Sequence, residues 1–171
     1  MSVPRAERPR VNDERPAPGE EAHVPADNVL AAIHVVSNRI GRAFYNDIEA
    51  RHGISLAEWR VMLTLMRHPG MAAMAVAALW GMDKMAISRA VQRLVRAGLV
   101  RRTAAAEDRR RWVLALTAEG RRRYRAIEPA ATGRYRRILA SLTPAEVAQL
   151  RRLLGKLIAG ASGNAGPRSP R

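Results

Sequence analysis

The chain contains no cysteine. Disulfides, thiolate catalysis and cysteine-based peroxide sensing are therefore excluded. No long hydrophobic run occurs either. The longest near-apolar stretch, Met71 to Met82, is too short to span a bilayer, and no hydrophobic signal region opens the chain. No membrane partner is expected, and the cytoplasm is the default location. The four histidines, His23, His34, His52 and His68, lack metal-ligand spacing. No phosphate-binding glycine loop or nucleophile motif is present, and the carboxylates read mostly as caps or ion-pair partners. The expectation is a protein that is not an enzyme and uses no metal or cofactor. Acidic residues are also scarce: 15 Asp and Glu face 30 Lys and Arg, for a net charge of +15. That excess predicts salt-dependent attraction to a polyanion. It is concentrated, with 13 basic and 3 acidic residues between Lys84 and Arg125. The first 26 residues, by contrast, hold 4 arginines and 5 acids.

A length of 171 residues allows one domain with a real core. Its organising stretch runs from Ala73 to Thr117. Ala73 to Trp80 reads as a helix, Gly81 and Met82 as a turn, and Asp83 as the N-cap of a second helix from Lys84 to about Ala97. Gly98 then terminates it. Ala77, Gly81 and Ile87 supply the small, turn and branched residues that let two short helices cross closely, as in a helix-turn-helix. On the second helix Ile87, Val91, Leu94 and Val95 form the inner stripe. Lys84, Met85, Ser88, Arg89, Gln92 and Arg93 fall on the other face. Arg, Lys, Ser and Gln are the side chains that bond base edges and phosphates. The same pattern also fits a solvated surface helix.

The segment beyond Gly98 tips the balance toward DNA. Leu99 to Thr103 reads as a strand, Ala104 to Arg111 as a loop, and Trp112 to Thr117 as a return strand. Arg109, Arg110 and Arg111 at a hairpin tip repel one another unless an anion lies nearby, and a narrow minor groove supplies one. Asp108 can hold an arginine there and stabilise the wing. Flanking this stretch are further helices. One runs from Asn28 to about Arg51, capped by Asp27 and stopped by Gly53. The next is opened by a capping box of Ser55 and Glu58, with Ile54 and Trp59 as the hydrophobic staple. A helix from Thr117 contains Pro129, which should kink it. The last begins at the Thr143/Glu146 capping box and carries a wide stripe of Val147, Leu150, Leu153, Leu154, Leu157 and Ile158. Residues 1–26 read as a disordered arm and 160–171 as a disordered tail.

The order helix-turn-helix, hairpin, Asp108-Arg109-Arg110, then Leu116-Thr117-Ala118-Glu119-Gly120 resembles the multiple-antibiotic-resistance regulator (MarR) family. The resemblance spans roughly Val29 to Ile158. It implies a mainly α fold with a small β-hairpin wing: a winged helix-turn-helix at 53–117 beside a helical dimerisation region at 27–52 and 118–159. It further implies a homodimeric DNA-binding regulator, usually a repressor released by a small ligand, with Arg110 entering the minor groove. The surplus apolar face of the outer helices independently suggests a dimer interface of ~1,600 Å² or more, and a two-fold dimer predicts a palindromic operator.

A switch is harder to read. His34, Asn38 and Arg42 recur every four residues, with Arg39 beside them. Relatives take aromatic carboxylates between their dimer helices and winged unit, and Arg39 and Arg42 match basic residues that hold them. Guanidinium groups suit a planar carboxylate, and Trp59 and Met62 could pack on a ring. The expected effector is thus a small aromatic acid such as a hydroxybenzoate, a cinnamate or a pyridine carboxylate. The arginines read equally well as surface charges, and Trp59 as a core staple. The alternative to a specific regulator is an architectural or RNA-binding basic protein with no ligand switch.

Overall fold

A computed structural model describes residues 28–104 and 112–163. The expected arm, the wing tip with Asp108, Arg109, Arg110 and Arg111, and the tail beyond residue 163 lie outside the described residues. Two compact units divide between Gly41 and Arg42. The first contains most of helix α1 (Val29–Phe44). Asn28 caps it, its Oδ1 accepting from the Ala31 N–H at 2.9 Å, and the expected cap Asp27 lies outside the described residues.

The second unit holds the core. After α1 the helix widens to a π-helical stretch, Tyr45–Glu49, and ends with one α-turn, α2 (Ala50–His52), at left-handed Gly53. Two ion-assisted contacts fasten this segment. Asp47 meets Arg134 at 2.6 Å, and Arg123 donates to the His52 carbonyl, also at 2.6 Å. Helix α3 (Leu56–Arg67) follows with the complete Ser55/Glu58 capping box. Its staple residues Ile54 and Trp59 are both buried. Trp59 stacks almost parallel on Tyr124 at 5.0 Å and tilts against Phe44 at 6.2 Å.

Helices α4 (Ala73–Trp80) and α5 (Lys84–Arg96) form the helix-turn-helix. Gly81 lies at φ 59°, a backbone conformation that costs glycine little. The Met82 N–H returns to Ala77 O at 2.9 Å, and the Gly81 N–H to Ala78 O at 3.2 Å. That pair of bonds is a Schellman motif, which satisfies the last carbonyls of α4. Gly98 repeats it after α5. The inner stripe of α5 differs from expectation at one position. Ala90 is fully buried, whereas Val95 is 38% exposed. The 3.6-residue turn carries position 95 past the contact with α3, and Ala90 admits the close approach.

Strands β1 (Val100–Ala104) and β2 (Trp112–Leu116) pair antiparallel, with Val100 opposite Leu116 and Ala104 opposite Trp112. The first strand starts one residue later than the periodicity predicts, because Leu99 closes the Schellman turn. On its other side β2 bridges to Met71: Leu114 N–H donates to Met71 O at 3.1 Å, and Gly70 N–H to Leu114 O at 2.9 Å.

Helix α6 (Ala118–Leu139) continues through Pro129. Its cap, Thr117, accepts from the Gly120 N–H at 3.0 Å while its hydroxyl donates to Gly98 O at 2.7 Å. Gly120 is the close-packed point. A Cβ there would sit 1.9 Å from the Leu99 carbonyl oxygen. Helix α7 (Pro144–Gly163) opens on the Thr143/Glu146 box. It runs through Gly160–Gly163, where the composition predicts the start of a disordered tail. One glycine costs a helix only about 1 kcal/mol, and Ala159 and Ala161 favour its continuation.

This packing has two measurable consequences. Gly120→Ala should lower the unfolding free energy by roughly 3 kcal/mol, because the obstacle is backbone; urea denaturation measures it. The Tyr124 hydroxyl donates to Glu128 at 2.9 Å. Burial, then the Glu128 hydrogen bond and charge, push the phenol from 10.0 up to about 12. The folded state thus holds the Tyr124 proton more tightly than the unfolded chain. That contribution is complete below pH 10 and is lost as pH rises toward about 12. Alkaline unfolding followed by circular dichroism should show this loss, and Tyr124→Phe should remove it.

Candidate nucleic-acid interface

The surface begins with α5. Once Ile87, Ala90, Val91 and Leu94 are buried, helical periodicity turns Lys84, Met85, Arg89 and Gln92 outward. Lys84, Met85, Arg89 and Gln92 are exposed, and Ser88 is half-buried beside them. The helix enters this surface at Asp83, whose Oδ1 accepts from the Ala86 N–H at 2.9 Å. Its carboxylate is occupied as a cap and faces the first turn, so the outer face of α5 stays cationic.

Arg93 stands apart from its neighbours. Its Nε donates to Glu58 Oε1 at 2.8 Å and its terminal nitrogen to Ser55 Oγ at 3.4 Å. Glu58 is 6% exposed and also accepts from the Ser55 N–H and hydroxyl. A buried carboxylate with three donors is satisfied, and removal of one would leave it short. Arg93 therefore braces α5 against α3. The turn between α4 and α5 is braced as well. Arg60 lies 5.1 Å over the Trp80 ring and contacts Met82 Sδ at 3.3 Å. Trp80 in turn donates to Thr64 Oγ1 at 2.9 Å.

The base of the hairpin stands beside α5. The strand register puts Arg102, Trp112 and Leu114 on one face. The Arg102 guanidinium lies 4.5 Å over the Trp112 ring. Trp112 is 47% exposed. Between this face and α5 lies an open cleft of about 560 Å³. Sequence reasoning overlooked both Arg102 and Trp112. The available signal was their shared strand face, which emerges only once the hairpin register is known. The Glu58–Arg93 tie joins residues 35 apart, and no periodicity reports such a pair.

The residues expected to hold a ligand occupy two kinds of place. His34, Asn38, Arg39 and Arg42 are exposed along α1. Trp59 and Met62 are core residues, 2% and 0% exposed. The Trp59 ring is enclosed by its aromatic neighbours, but its indole Nε1 is buried without a hydrogen-bond partner. Among the described residues no group of three potential metal ligands converges, and no helix is long and apolar enough to cross a membrane.

A sequence model described as the MarR family matches residues 52–111, which run from the end of α2 to the wing tip. No curated protein matches the chain. Solved structures do. A probable transcriptional regulator from Pseudomonas aeruginosa is 29% identical, with 77% of this chain and 97% of that one covered at a TM-score of 0.68. A MarR/EmrR family transcriptional regulator from Acinetobacter sp. ADP1 is 26% identical, with coverage of 78% and 94% and a TM-score of 0.73. CouR from Rhodococcus jostii RHA1, solved bound to p-coumaroyl-CoA, is 25% identical, with coverage of 77% and 92% and a TM-score of 0.71. The match falls on the helix-turn-helix and hairpin described above, and the likeness extends well beyond them: the chain carries a MarR-type winged helix-turn-helix and is similar over most of its length to MarR-family transcriptional regulators.

Proposed function

We propose that this regulator is a homodimeric, sequence-specific DNA-binding repressor, acting in the cytoplasm and released from a palindromic operator by a small aromatic carboxylate. One observation carries the DNA reading. The outer face of α5 presents Lys84, Met85, Ser88, Arg89 and Gln92 with no scaffold partner among the described residues, and Arg93 and Arg60 hold the helix pair behind them. A rigid polar helix face is what reads base edges in a major groove. Arg109, Arg110 and Arg111 then serve the adjacent minor groove, with Asp108 shaping the tip.

The dimer reading rests on α6 and α7. Tyr135, Ile138, Leu139, Leu150, Leu153 and Leu157 are exposed at 36–46%. Helix α7 buries none of its described residues. Six large apolar side chains on two successive helices are surplus to a monomer and suit an isologous contact. Such a pair delivers two copies of α5 about 34 Å apart, one turn of duplex. The effector reading draws on the aromatic acyl group of the p-coumaroyl-CoA bound to CouR and on the exposed guanidinium groups of Arg39 and Arg42, which suit a free carboxylate. A ligand that favours the non-binding spacing by ~1–3 kcal/mol changes DNA affinity ~5–150-fold.

Two experiments test this. In the first, a duplex selected in vitro from a random pool is bound by wild type and variants, with light scattering counting chains per duplex. Two chains per duplex are expected. Arg89→Ala and Gln92→Ala should change the preferred base at one position per half-site, costing ~1–3 kcal/mol there. Arg110→Ala should weaken all sequences alike and lower the salt slope by about one. Equal losses on every sequence for all three variants would instead mean a basic architectural protein. In the second, calorimetry against hydroxybenzoates, cinnamates and pyridine carboxylates should give heat for wild type, with release from DNA. Arg42→Ala should keep DNA binding and lose release. Absence of heat and of release at millimolar acid removes the effector.

A further inference from the structure

We infer that the cleft between α5 and the base of the hairpin seats one sugar–phosphate strand of the duplex, with Trp112 as its floor and Arg102 as its clamp. The inference rests on the DNA-binding reading above and adds two residues that read no base.

The cleft, about 560 Å³, has Lys84, Ser88 and Gln92 of α5 along one wall and Arg102 and Trp112 of the hairpin along the other. Among the described residues no carboxylate lines it. Its polar rim is therefore cationic or neutral, while Leu114, Met74 and the Trp112 ring make its floor apolar. A sugar–phosphate strand alternates in the same way, with an apolar deoxyribose face followed by an anionic phosphate. The position agrees as well. A helix in the major groove and a wing in the neighbouring minor groove have one backbone strand between them, and that strand must cross the space separating the two elements.

The Arg102–Trp112 pair supplies the recognition chemistry. A cation–π contact at 4.5 Å holds the guanidinium over the ring. Among the described residues the Arg102 guanidinium makes no ion pair and meets no hydrogen-bond acceptor. A pre-oriented guanidinium edge binds a phosphate in bidentate fashion at little cost in side-chain entropy. Trp112, at 47% exposure, spends its large ring on the cleft in place of the core. Deoxyribose packing against that ring removes it from water.

The test uses the full chain as wild type, Arg102→Gln, Trp112→Ala and Trp112→Phe, with thermal melts to confirm folding. Binding is measured against a random-sequence duplex and the selected duplex over a range of salt concentrations. Arg102→Gln should weaken both duplexes by the same factor, about tenfold, and lower the log–log salt slope by about one. Trp112→Ala should weaken both equally with no change of slope, and Trp112→Phe should restore most of the loss. Duplex should also quench the Trp112 emission, read as the difference between wild type and Trp112→Phe. Arg102→Gln binding within twofold of wild type overturns the seat, as does a loss confined to the selected duplex. An emission change with aromatic acids and none with duplex overturns it too. If Trp112→Ala fails to fold, Arg102→Gln and Trp112→Phe decide alone. If wild type binds no duplex at all, the DNA reading falls and takes the seat with it. If wild type binds and Arg102→Gln is silent, only the seat falls.

Discussion

The carboxylate of Glu58 joins the start of α3 to the flank of α5. One oxygen accepts the N–H and hydroxyl of Ser55, and the other accepts the Arg93 guanidinium. Each half of that arrangement needs the other. Without Arg93, a carboxylate at 6% exposure would lack a donor that burial makes costly to lose. Without the capping box, α3 would begin with orphan N–H groups beside its aromatic staple. The orientation of α5, and so of every side chain on its outer face, depends on this tie and on the apolar stripe beneath it. The stripe sets the distance between the helices, and the ion pair limits rotation about the contact.

A second constraint sits where the hairpin meets α6. Thr117 caps α6, and its hydroxyl also reaches the Gly98 carbonyl at the end of α5. Gly120 brings the α6 backbone against the Leu99 carbonyl with no room for a side chain. Arg121 adds a bond from its guanidinium to Leu116 O at 2.8 Å. The ends of α5 and β2 and the start of α6 therefore share one crowded corner. The Leu-Thr-x-x-Gly pattern at 116–120 thus has a physical meaning: a strand end, a cap with two duties and an obligatory close approach.

Local signals were legible in the sequence because each has a short range. The bounds of α4, the Asp83 cap, the left-handed glycines at 81 and 98 and both capping boxes are written within a few neighbouring residues, and the structure has them where the spacing put them. The inner stripe of α5 was legible apart from Val95, whose hydrophobicity outweighed its place on the turn. Long-range features were not legible. The Met71–Leu114 bridge, the Arg93–Glu58 pair and the Arg102–Trp112 stack join distant segments. The register that brings them together is a property of the packed chain. Arg93 illustrates the limit best. By type and phase it belongs with the groove-facing residues, yet a buried acid on another helix engages it. Trp59 is the converse case, an aromatic suited to a ligand wall that the stack with Tyr124 draws into the core.

The Met71–Leu114 bridge affects how the reading head could be exchanged between relatives. Because β2 is hydrogen-bonded to β1 on one edge and to the entry of α4 on the other, the hairpin is not an appendage that can be transplanted alone. A graft ending at the strands would sever backbone pairing at Leu114 and strand the Thr117 hydroxyl. The natural cassette runs from Gly53 to Gly120, with both its seams on glycine, and a chimera cut there would carry α3 with its Glu58 tie, the helix pair and the hairpin across as one piece.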